Sequence, residues 1–505
     1  MKRILTLMLA AAMTLGATSG AQAIDFKASG EWLMGLAAGD ASLVQKDGGK
    51  HTDTNDVFGA GQRVRLQLDA VASEALSGTV FFEIGDQLWG NGESGAAMGA
   101  DGQVVKVKNA YLDWIVPNTD LQIRMGLQAI AMPDAAGGSA VMDGDVAGIV
   151  ASYKFNDNVA LTATWMRPFN DNYTADDTDP ERRVNFLDNI DLFALSLPLS
   201  FDGVEVTPWV MYGIQGRNAR YNLHGWDQAD GDFAQTLGNT YSGFRMRNFG
   251  STSKGYGSMF WAGLPIKVTA LDPWNIEFDV NYGYVEKMGR FDVQKYGDRG
   301  PTVRASTGRE GWAVKALVEY KMDWGTPGIF GWYASGDDGN IKNGSERLPS
   351  LNGNAGFTSF MGTADADWSG RGNLYEKTLT IDGTWGIGVQ VADMSFVENL
   401  NHTFRVAYWG GTNSPSMVKY MNSPRAFDMD GDACSTEGPY LTTNDGLLEF
   451  NLTNVWQVYE NLTASLELGY IVNMIDKNTW DRSFFDSSFS RQDAWKASLV
   501  LAYTF

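Results

Sequence analysis

One cysteine, Cys434, stands among 505 residues, so no intrachain disulfide is available to hold the fold. Histidine is almost as scarce. His51, His224 and His402 have no Ser or Asp arrangement beside them that suggests a nucleophile and its base. No P-loop or HExxH stretch occurs. These gaps point away from catalysis. After residue 23 there is no long apolar run, which excludes helical membrane spans. Positive charge is also short: 39 Lys and Arg against 60 Asp and Glu, for a formal charge of -21. Such a balance argues against nucleic acid and for cations as companions. No linker, Pro/Ser-rich hinge or composition shift divides the chain, which favours one large closed structure.

What the sequence does have begins with a leader. Lys2 and Arg3 precede an apolar stretch, Ile4–Leu15, and small residues at Ala21–Ala23 suit a signal peptidase. The expectation is a cleaved export signal over 1–23 and a single domain over 24–505. The chain also has 58 Gly, 26 Phe, 19 Tyr and 17 Trp, a composition that suits sheet and turns.

The repeating unit is a strand of about ten residues with one apolar and one polar face. In Gly61–Ala72, Val64, Leu66, Leu68 and Ala70 share one side; Arg63, Arg65, Gln67 and Asp69 share the other. Leu121–Gln128 and Pro273–Val285 alternate in the same way, as does Thr463–Val472. Nine long connections alternate with eight short ones, from Ser73–Gly78 through Tyr459–Asn461. The pattern predicts an all-β fold, a transmembrane antiparallel β-barrel with short periplasmic turns and long extracellular loops. Its count is about eighteen strands, or sixteen if the weak segments near 262–270 and 382–395 are loop. Closure is obligatory in lipid, where an edge strand cannot leave its backbone groups unpaired. Aromatic residues near strand ends suit interfacial girdles: Trp114, Trp165, Trp209, Trp274, Trp324, Tyr408, Tyr470, Trp495 and Tyr503.

A barrel this wide leaves an aqueous lumen. The third long loop, in Ala129–Gly148, carries Asp134, Asp143 and Asp145 and no basic residue. Arg63, Arg65 and Arg124 fall on polar strand faces, so the expected constriction sets an acidic loop opposite wall arginines. Lys315, Arg405, Glu277, Asp279 and Glu319 are expected to line the pore. Lys106 and Lys108 fit a position above the membrane. In the eighth loop, Asp428, Asp430 and Asp432 alternate as in the start of a calcium loop. The spacing is not that of an EF-hand, and a solvated acidic loop is the plainer reading. No cofactor is required. The sequence closes on "ASLVLAYTF", with Trp495, Leu499, Leu501, Tyr503 and Phe505 on the face expected to meet lipid.

The leader, the alternating strands and loops and the terminal aromatic together resemble the Gram-negative outer-membrane porins. More narrowly, "AIDFKASGEWLMG" (Ala23–Gly35), "KNAYLDW" (Lys108–Trp114) and "LAYTF" resemble the homotrimeric porins of sulfate-reducing bacteria. The resemblance implies a trimer of barrels in the outer membrane, passing small hydrophilic solutes and ions by passive diffusion. It implies a third loop folded inward opposite a basic cluster, and an ending at Tyr503 and Phe505 read by the barrel-assembly machinery. "PDAAGG" (Pro133–Gly138) is a loose counterpart of the PEFGG-like stretch of such loops. A substrate-selective channel, for organic anions for example, is the alternative, and a structural or adhesin-like surface barrel is a third.

Overall fold

The structure is a computed structural model. It describes residues 24–505 apart from 41, 47–56, 100–101, 103–104, 171–188, 218–243, 245, 250–253, 297–299, 363–378, 422–438 and 481–488. The leader and the Asp428, Asp430 and Asp432 segment therefore lie outside the described residues, as do Cys434, His51 and His224.

Eighteen antiparallel strands form one closed barrel. They are β1 (Asp25–Asp40), β2 (Val57–Ser73), β3 (Leu76–Leu88), β4 (Val105–Ile115), β5 (Leu121–Ala131) and β6 (Asp143–Asn156), then β7 (Val159–Asn170). β8 comes in two pieces, Asn189–Ser196 and Leu199–Phe201, and β9 in two, Val204–Val206 and Trp209–Gly216. β10 (Tyr256–Val268), β11 (Trp274–Val285), β12 (Arg309–Tyr320), β13 (Thr326–Ala334) and β14 (Thr384–Val397) follow. β15 (Leu400–Gly411), β16 (Gly446–Tyr459), β17 (Leu462–Asn473) and β18 (Ala494–Thr504) complete the wall. The breaks in β8 and β9 fall at Pro198 and Pro208, which have no N–H to give a ladder. Their carbonyls still accept, from Ala160 at 3.1 Å and Leu197 at 3.0 Å, so the wall stays sealed. Both weak segments of the sequence are strands, β10 and β14, which decides for eighteen over sixteen.

Each strand pairs with its chain neighbour, and β18 closes the ring on β1 in a register that sets Trp32 against Tyr503 and Glu31 against Thr504. Phe505 donates its N–H to the Gly30 carbonyl at 3.0 Å and accepts from the Gly30 N–H at 2.9 Å. All eight short turns lie at the end of the barrel that holds residues 25 and 505. All nine long connections lie at the other end.

The two faces of the wall differ as the alternation requires. Trp32, Leu36, Phe193, Leu195, Tyr212, Phe260, Trp385, Ile387, Tyr408, Leu468, Tyr470, Trp495, Leu499 and Tyr503 are exposed on the outside. Lys496, Ser498 and Val500 alternate with the last of these and are buried inside. Trp209 departs from the expected girdle: it points inward and is buried, its Nε1–H donating to the Pro133 carbonyl at 3.0 Å. The apolar core is inside the barrel. One cluster joins Met166, Leu192, Met211, Met259 and Trp261 of the wall to Met132, Val141 and Met142 of a loop. The other gathers Phe330, Trp332, Trp409, Phe357, Phe360 and Met361. Two loops therefore enter the lumen.

Candidate functional site

The first is the connection 132–142, here called L3, between β5 and β6. Its small residues let it turn tightly. Gly137 (φ 66°) and Gly138 (φ 88°) hold left-handed backbone that a side chain would strain. It crosses to β11 and β12. Ala135 and Ala136 donate their N–H groups to the Asp279 carboxylate, at 3.1 and 2.7 Å. Lys315 sits 3.3 Å from the same carboxylate and donates to the Ala136 carbonyl at 2.6 Å and to that of Gly138. Lys315 and Asp279 are 0% and 1% exposed. They were expected to line the pore. Their side chains do point inward, but L3 covers both, so they hold the loop and have no contact with lumen water.

The second is the connection 335–383, L7, described over 335–362 and 379–383. It lies against L3 as a run of paired backbone. Leu351 donates to Val141 at 2.8 Å, Asn354 to Ser139 at 2.7 Å and Gly356 to Gly137 at 2.6 Å. Arg309 of β12 fixes it from the wall, donating to the Arg347 and Leu348 carbonyls at 2.9 and 2.7 Å. Trp261 donates to the Pro349 carbonyl at 2.9 Å. At the far side the loop reaches β16–β18. Ser359 donates to Asn451 at 3.2 Å, Phe360 to Glu449 at 3.2 Å, and Lys496 donates to the Ser359 carbonyl at 2.7 Å while pairing with Glu467 at 3.0 Å. A buried lysine with a buried acid thus anchors each loop.

Among the described residues, no hydrogen bond or ion pair joins L3 or L7 to the inner charges of the wall from β2 to β5. Its inner charges are matched in sign, strand to strand, and all but exposed Asp86 are half-buried. Arg65 pairs with Glu83 at 2.9 Å and Arg63 with Asp86 at 3.7 Å. Arg124 forms a two-armed pair with Asp113, at 2.7 and 2.9 Å, and lies 4.2 Å over the Tyr111 ring. Asp69 is held by neutral donors, Gln67 at 3.0 Å and Thr79 at 2.6 Å. Opposite, a polar chain runs round β10–β15. Lys267 pairs with Glu277 at 2.9 Å, Asn275 donates to Glu319 at 2.9 Å, Gln390 donates to Glu319 at 2.7 Å, and Arg405 donates to Gln390 at 3.0 Å.

The structure thus separates the residues nominated for the constriction. Asp134 is in L3, where burial pushes its carboxyl above the ordinary range against the pull of Lys315. Asp143 opens β6 beside L7, accepting from Asn354 at 3.3 Å. Asp145 shares strand parity with exposed Ala147 and Ile149, the outer face, and pairs there with Lys108. Arg63, Arg65 and Arg124 are on the inner wall, each beside an acid of its own. Arg405, Glu277 and Glu319 belong to the polar chain. Lys106 is exposed. L7 was not foreseen as an inward loop. Its signal was present: Leu348, Leu351, Phe357, Phe360 and Met361 are too many apolar groups for a loop in water, and all are buried. Among the described residues no group of three or more His, Cys, Asp or Glu is placed to hold a metal, and no helix is long and apolar enough to cross a membrane.

No family model matches the chain, and no curated protein matches it. Solved structures align over nearly its full length at low identity. Pseudomonas aeruginosa OccK5 (OpdH) aligns at 12% identity over 95% of this chain and 98% of that one, with a TM-score of 0.48. Acinetobacter baumannii OccAB3 gives 12%, 95% and 99%, with 0.47. A BenF-like porin from Pseudomonas fluorescens Pf-5 gives 8%, 95% and 98%, with 0.48. The barrel assignment rests on the strand order and register described above.

Proposed function

We propose that this protein is an outer-membrane channel through which small hydrophilic solutes and ions diffuse. The observation that carries this reading is the two-sided wall. Apolar and aromatic groups face outward round the barrel, while paired charges and amides line the inner faces of β2–β5 and β10–β15 beside the apolar patches that the loops cover. Soluble proteins rarely expose apolar surface on this scale, and a closed barrel is the sheet that can stand in lipid. Three barrels assemble together, after export by the leader and insertion by the assembly machinery. The likeness of the segments at 23–35, 108–114 and 501–505 to homotrimeric porins supports this part.

A second reading, a solute-selective channel, is favoured by the two anchored loops. Two loops seated inside the lumen make it narrower than an open barrel of this circumference. Planar-bilayer recording on the purified protein separates the possibilities. Large conductance in steps of three, with weak selectivity, supports general diffusion. Small conductance, blocked by one solute at micromolar concentration, supports the selective channel. A folded protein that passes no current overturns both and leaves the structural surface barrel.

A further inference from the structure

The wall chemistry allows the class of preferred solute to be named. This inference rests on the channel reading. On the β2–β5 wall each arginine is answered by a carboxylate on an adjacent strand: Arg63 by Asp86, Arg65 by Glu83, Arg124 by Asp113. Such pairs present little net field to a passing ion. The cations beneath L3 and L7, Lys315 and Lys496, are buried on Asp279 and Glu467 and meet no solute. Two half-buried carboxylates differ. Asp69 accepts from Gln67 and Thr79, and Glu319 accepts from Asn275 and Gln390. All four donors are neutral, so the bonds orient the carboxylates and leave their charge in place. Neither has a cation within ion-pair distance among the described residues. Lys27 is opposite Asp69 in the β1–β2 register but forms no pair with it; Arg405, the cation nearest Glu319 along the polar chain, reaches it only through the Gln390 amide, and Lys267 is spent on Glu277.

Position strengthens the case. Asp69 lies four residues from the end of β2 at Ser73, and Glu319 one residue from the end of β12 at Tyr320. Both ends adjoin short turns. The two carboxylates therefore both stand in the short-turn half of the barrel, on strands ten places apart one way round the wall and eight the other. We infer that Asp69 and Glu319 form a selectivity station at the short-turn mouth that favours small cations and cationic solutes over anions. In a low-dielectric wall, two fixed negative charges concentrate counter-ions and repel co-ions. The neutral hydrogen bonds keep both groups fixed as solutes pass.

Reversal potentials under a potassium chloride gradient test this. The wild type should be cation-selective, and the preference should weaken as salt screens the wall charge. Asp69→Asn and Glu319→Gln keep shape and hydrogen-bonding capacity. Each should lower the cation-to-anion permeability ratio about twofold or more, and the pair should bring it close to one. Asp134→Asn, which alters L3 and not the mouth, should change the ratio far less. An anion-selective or unselective wild type overturns the inference without any variant, so a variant that fails to insert does not protect it. An unchanged ratio in the double variant also overturns it. A folded wild type with no conductance fails the channel reading instead, which is a distinguishable result.

Discussion

Lys315 is a lysine removed from water, and polar partners surround its amino group. Asp279 compensates it, and two L3 carbonyls take up its remaining N–H groups. Removing one partner of such a pair costs about 3–5 kcal/mol, because the other charge is left buried alone. Lys315→Met should therefore lower the unfolding temperature of the purified barrel and free L3 at Ala136 and Gly138. The expected trace in bilayers is a larger and noisier conductance. Adding Asp279→Asn should recover part of the stability, since no charge is then stranded, but not the quiet trace. Equal stability in the single variant and the wild type would refute the anchoring role. Strand parity in the sequence places both residues on the inner face correctly. Their burial could not be read there, because what covers them comes from a loop 177–179 residues from Lys315 and 143–144 from Asp279 in the chain.

The strands were the legible elements. Period-two alternation and the long-short rhythm of connections locate them because each strand must meet two different solvents at once. Pro198 and Pro208 show the limit: they split β8 and β9 without breaking the wall, which a pattern of apolar residues does not reveal. Loops carry no such constraint, so L7 was legible in length and not in path. Its seat near the long-loop end includes Glu346. Burial, with Asp337 and Asp338 nearby, raises that carboxyl from 4.5 to about 7, although the Asp338 N–H partly opposes this. Lys287 and Glu310 line the same cavity of about 510 Å³. A raised acid favours the folded seat when protonated. Its stabilising effect is complete below the ordinary carboxylate value and lost as pH rises through about 7. Amide exchange over 335–347 should thus quicken between pH 6 and pH 8 beyond the intrinsic chemical rate. Glu346→Gln, permanently neutral, should remove that excess. If the variant keeps the same pH dependence, Glu346 is not its source.

At the scale of the whole molecule, everything depends on one seam. Seventeen of the strand contacts join chain neighbours and form as hairpins or near-neighbours; the β1–β18 contact joins the two ends of the described chain. Until it forms, two strands carry open rows of N–H and C=O groups, which lipid cannot satisfy. Phe505 contributes the last two backbone bonds of the seam, both to Gly30. Its ring lies where Gly30 has no side chain: a methyl there would stand 2.5 Å from the Phe505 ring and 2.6 Å from the Arg65 carbonyl. Ring and glycine are thus two halves of one contact, and each should be sensitive in its own way. Deleting Phe505 removes the backbone bonds and the ring together. It should lower the fraction of protein that inserts as folded, heat-modifiable barrel, while the molecules that do insert conduct as the wild type does. Gly30→Ala keeps the Phe505 backbone groups but displaces the ring and presses on the Arg65 carbonyl of β2, so it should also lower the inserted fraction. If instead the deletion inserts normally and changes conductance, Phe505 acts on the pore and not on closure, and the seam is held by β1 and β18 without it.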